Sequence, residues 1–98
     1  MSTGLAHGQE LISSEDVEGT NIHDAHGKKV GKVDHLMIER ASGRVAYVVA
    51  SGAGFLGLGY SHFKVPWDTL KYSTRLNGFE IGITHEQLKS NPAYHADR

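Results

Sequence analysis

No cysteine occurs in the 98 residues. A disulfide framework and a thiolate zinc centre are both excluded by that absence. The simplest home for a cysteine-free chain is the reducing cytoplasm, which is the expected location. No apolar run approaches the ~20 residues that a membrane helix needs, so no membrane span is expected. Residues 1–10 have neither a basic start nor an apolar stretch. They read as a flexible tail rather than a signal peptide. No charge of one sign is in excess, since 10 Lys and Arg face 11 Asp and Glu. Direct nucleic-acid binding and anionic membrane surfaces both need a basic footprint, and only Lys28, Lys29 and Lys32 cluster closely.

What is present is a chain of short apolar runs cut by turn residues. Ser13, Ser14, Glu15 and Asp16 form a cap and one short helical turn, ended by Gly19. Residues 20–24 then read as a short strand. The turn Ala25-His26-Gly27-Lys28 uses Gly27 for positive φ. In the strand over 30–40, Val30, Leu36 and Ile38 share one parity and Val33 has the other. The spacing of three between Val33 and Leu36 breaks the strand period and predicts a β-bulge. Ala41-Ser42-Gly43 is a hairpin turn. Residues 44–51 are apolar on both faces, which predicts a central, covered strand. Phe63 and Val65 point inward on the next strand, and Pro66 ends it. Trp67-Asp68-Thr69-Leu70 is a short turn or 3₁₀ piece. A last hairpin turns at Leu76-Asn77-Gly78, with Phe79, Ile81 and Ile83 alternating. Thr84 and Gln87 make a capping box for a short helix to about Ser90, and Pro92 stops it. Five or six short strands without a long helix predict an all-β fold, a small β-barrel. The barrel is assigned to residues 11–91, and residues 92–98 read as a C-terminal tail.

The turn Asp24-Ala25-His26-Gly27 with Gly31 after it resembles the opening hairpin of PRC-barrel domains. So do Gly43-Arg44-Val45-Ala46-Tyr47, the glycine-rich Gly54-Phe55-Leu56-Gly57-Leu58-Gly59, and Val65-Pro66-Trp67. The likeness covers about residues 11–83 and is closest to stand-alone bacterial members. It implies a PRC-type barrel that binds other proteins and has no catalytic residues. The family also includes the cytoplasmic domain of the photosynthetic reaction-centre H subunit and the C-terminal domain of a ribosome-maturation factor. Neither the membrane helix of the first nor the RNA-facing domain of the second is expected in these residues.

The chemical motifs fail on inspection. Gly52-Ala53-Gly54-Phe55-Leu56-Gly57 fits the glycine spacing of a dinucleotide loop. A strand follows where the phosphate-binding helix would have to start, so the glycines serve tight turns. His85-Glu86 opens like a metalloprotease helix, but Lys89 stands where the second histidine is required. No G-x-S-x-G elbow is present. No catalytic residue, cofactor, resident metal or small-molecule substrate is therefore expected. The seven histidines, with His23 and His26 flanking the first turn and His35 beyond it, leave open a metal or pH sensor. A ribosome-associated or RNA-processing role is a further alternative, through the family link alone. The favoured expectation is a docking or adaptor barrel that self-associates, as a homodimer, or binds another protein. Phe55, Leu56 and Leu58 either plug one barrel end or form a docking patch. With Tyr60 and Trp67 they make up the candidate interaction surface.

Overall fold

The computed structural model describes residues 11–52 and 62–96. Its helix α1 (Ser14–Val17) is capped by Ser13, whose Oγ accepts from the Glu15 backbone N–H at 3.1 Å. Val17 is the one residue this turn buries. The chain leaving α1 is tied to the sheet directly. Gly19 N–H donates to the Val33 carbonyl at 2.8 Å, and Val33 N–H donates back to Thr20 at 2.9 Å.

Strand β1 (Asn21–His23) pairs antiparallel with β2 (Lys29–Ile38). The turn between them carries Gly27 at φ +81°, the left-handed region expected of that glycine. The irregular apolar spacing of β2 has a direct cause. Gly31 faces Ile22 and Lys29 faces His23, so Val30 is an extra residue on β2. Val33 faces Ala50 and His35 faces Val49, so Asp34 is another. Each bulge resets the inside–outside alternation. Val30 and Val33 are thereby both buried, and Leu36 packs against the same core. Ile38 continues past the end of that core and is 57% exposed.

Strand β3 (Val45–Ser51) lies between β2 and β4 (His62–Pro66), as its two-sided apolarity predicts. Val48 and Ala50 enter the core, whereas Val49 is buried outside that cluster and Ala46 is exposed. A 3₁₀ turn (Trp67–Thr69) packs against β3 and leads into β5 (Lys71–Ser73). Strand β6 (Gly78–Glu80) pairs with β5 antiparallel and with β1 parallel. Helix α2 (His85–Ser90) has the complete Thr84–Gln87 capping box and buries Leu88. A second 3₁₀ turn (Pro92–Tyr94) delivers β7 (His95–Ala96) to the free edge of β4.

The described strands form one seven-stranded sheet in the order β5-β6-β1-β2-β3-β4-β7. Six are the expected strands, and the seventh is the two-residue β7. The sheet coils around one core built from Ile22, Val30, Val33, Val48, Phe63 and Ile81 with their neighbours. Val17 and Leu88 bring both helices onto it. The tightest point is the crossing of β2 and the end of β3. A Cβ on Gly31 would strike the Ser51 carbonyl oxygen and approach the Phe63 ring at 3.2 Å. One on Gly52 would strike the Val30 carbonyl oxygen and approach Gly31 Cα at 2.9 Å. Only glycine fits both positions.

Candidate functional site

The pairing register sets up an apolar row on the outer face of the sheet. Val48 faces the core, so its neighbour Tyr47 faces outward. Tyr47 stands opposite Met37 on β2 and opposite Pro66 on β4. Met37 is 40% exposed, Pro66 is exposed, and Tyr47 is half-buried. The Lys64 ammonium lies 5.5 Å from the Tyr47 ring centroid, close enough for a cation–π contact. A shallow depression of about 160 Å³ lies here, lined by Tyr47, Lys64 and Pro66 with Ala46 and Ala93. Ile38, at the hairpin end of β2, is a further exposed apolar residue outside the core. Sequence reading missed this row, because it needs knowledge of which strands are neighbours. The one available signal was the consecutive pair Met37-Ile38, which presents apolar side chains to both faces of a strand.

Trp67, the one described member of the expected interaction surface, is half-buried against the core. Its ring meets Phe79 edge-on, with centroids 6.2 Å apart. Phe55, Leu56, Leu58 and Tyr60 lie outside the described residues. Among the described residues, the start of β2 and the end of β3 border a cavity of about 370 Å³, lined by residues 29–32 with Ser51 and Gly52. A separate groove of about 400 Å³ runs between Ile12 and Asp16 on one side and Tyr72, Asn77 and Phe79 on the other. The Tyr72 hydroxyl is not free there, since it donates to Asn77 Oδ1 at 3.0 Å.

The histidines that flank the first turn do not converge. His23 is buried, with Nδ1 3.4 Å from the Phe79 carbonyl oxygen, whereas His26 is exposed. Between them Asp24 is 1% exposed and is the organising group of the turn. Its Oδ1 accepts from the backbone N–H groups of His26 and Lys28, both at 2.9 Å. The backbone N–H of His85, in the first turn of α2, donates to it as well. Burial pushes the Asp24 pKa up. The donors from Lys28, His26 and His85 outweigh burial and hold it below its ordinary value of 3.8. Asp24 therefore joins the β1–β2 turn to α2.

A second acidic group sits on the outer face. Asp34, the bulge residue of β2, places Oδ2 at 3.0 Å from His35 Nδ1 and 3.8 Å from His62 Nε2. Among the described residues no group of three or more His, Asp or Glu side chains is arranged to hold a metal ion. No helix among them is long and apolar enough to cross a membrane.

Comparison with known proteins gives one finding. The family model described as PRC-barrel domain matches residues 9–88. No curated protein sequence matches the chain significantly. The family is generally non-catalytic. That match spans most of the chain and shows that it belongs to the PRC-barrel domain family, small β-rich domains that mediate protein interactions.

Proposed function

We propose that this chain is a non-enzymatic docking barrel that associates with a second copy of itself. The observation that carries this reading is the outer-face row Met37–Tyr47–Pro66. These side chains add nothing to the core, and exposed apolar groups side by side favour an interface. Glu39 and Arg44 at the hairpin end and Lys64 beside Tyr47 give the patch a rim of both charge signs. A two-fold interface uses the same patch on both copies, so each rim must carry both signs. Phe55, Leu56, Leu58, Tyr60 and Trp67 are a further contact set, proposed from their apolar and aromatic character. The cysteine-free sequence supports a cytoplasmic setting.

The test is size-exclusion chromatography with light scattering over a range of concentrations. The mass is expected to rise from 10.7 kDa toward twice that value. Met37→Lys with Ile38→Lys is expected to hold the chain at the monomer mass. Phe55→Ser with Leu56→Ser tests the second set in the same way. A parent chain that stays monomeric at every concentration rejects self-association.

A further inference from the structure

The carboxylate of Asp34 reaches across a strand. It belongs to β2, His62 belongs to β4, and β3 lies between them. The outer-face residue of β3 at this level is Val49, flanked by His35 on β2 and Lys64 on β4. Val49 faces away from the core yet is only 6% exposed. Two strands thus contribute polar side chains around one outward-facing valine, and Asp34 links them.

The two arms of this bridge differ in kind. At 3.0 Å, His35 Nδ1 is in hydrogen-bond range of the Asp34 carboxylate. At 3.8 Å, His62 Nε2 is beyond that range. Across that gap the attraction is one between charges, present when the imidazole is protonated. We propose that Asp34 and His62 form a proton-dependent clasp that holds the start of β4 to β2 across β3. His62 is 25% exposed and Asp34 50%, so water screens the pair without abolishing it.

The surrounding charges shape this response. From β2, the acidic Asp34 and the basic His35 and Lys32 lie nearest the start of β4. From β4, Lys64 carries positive charge but stands over the Tyr47 ring, toward the other end of the strand. From β7, His95 pairs beside Phe63 and directs Nε2 at the Lys89 carbonyl oxygen, 3.1 Å away. Tyr47 lies on β3 and Tyr94 in the second 3₁₀ turn. Among the described residues named here, Asp34 is the acidic one.

The experiment is amide hydrogen exchange of β4, read by NMR as a variant-to-parent ratio at each pH so that intrinsic exchange cancels. His62→Gln is compared with the parent at about pH 5.5 and about pH 8.0, on either side of histidine titration. The expected ratio at the lower pH exceeds that at the higher pH roughly twofold to fivefold, the range for a part-exposed ion pair. The same comparison in an Asp34→Asn background is expected to show no excess. Both positions are part-exposed, so the variants keep the core intact. Equal ratios at the two pH values overturn the clasp. So does an excess that persists without the Asp34 carboxylate.

Discussion

Asp24 shows how a buried charge can organise a turn. Its carboxylate is out of water and stays ionised because three backbone N–H groups point at it. Replacing it with alanine leaves those donors unpaired in a buried site. The expected cost is about 3 kcal/mol, read as a drop in Tm of more than ~10 °C for a domain of this size. Asp24→Asn keeps one acceptor oxygen and is expected to lose less. The pH dependence has a definite sign. A folded-state pKa below the unfolded value means that the stabilisation is complete above about pH 5. It is lost as pH falls through 3.8 and below. Urea titrations of the parent between about pH 7 and pH 2.5 should show that acid limb, and Asp24→Asn should flatten part of it.

At the scale of elements, β2 is the strand on which the fold turns. Its bulges at Val30 and Asp34 let apolar residues three apart share one face, and they bend the strand so that the sheet can coil. The crossing of β2 over the end of β3 depends on Gly31 and Gly52. Gly31→Ala forces backbone to move at the Ser51 carbonyl and is expected to destabilise by ~2–3 kcal/mol in denaturant unfolding. Gly52→Ala should act at the same crossing. Because each substitution displaces the same backbone, the double variant should cost less than the sum of the two. Helix α2 is six residues long and rests on its cap and on Leu88. Thr84→Ala is expected to cost about 1 kcal/mol and to show first as faster amide exchange in α2.

For the whole molecule, one curled sheet leaves two kinds of surface. The inner face is closed by Val17, Leu88 and the half-buried Trp67. The outer face of β2, β3 and β4 divides into a polar bridge at Asp34 and an apolar row at Met37, Tyr47 and Pro66. The two regions share β3 and β4 and can be separated by experiment. Met37→Lys with Ile38→Lys should change the mass in solution and leave the pH response of β4 intact. His62→Gln should do the reverse.

Local chemistry was legible from the residues alone. The Ser13 cap, the positive φ at Gly27, the bulge between Val33 and Leu36, the 3₁₀ turn at Trp67 and the Thr84 capping box each depend on a few neighbours in the chain. Such features follow from hydrogen-bonding side chains and steric limits that act over three or four residues. The absence of cysteine was legible in the same way. What required tertiary structure was every relation between strands. That Val30 also sits in a bulge depends on its register with β1. The burial of Asp24 depends on α2 returning to the first turn. The outer-face row needs Met37, Tyr47 and Pro66 to be brought level by two separate strand pairings. Asp34 meets His62 only because β3 places β2 and β4 one strand apart. Sequence periodicity tells which residues share a face of one strand, but register alone decides which strands set their side chains together.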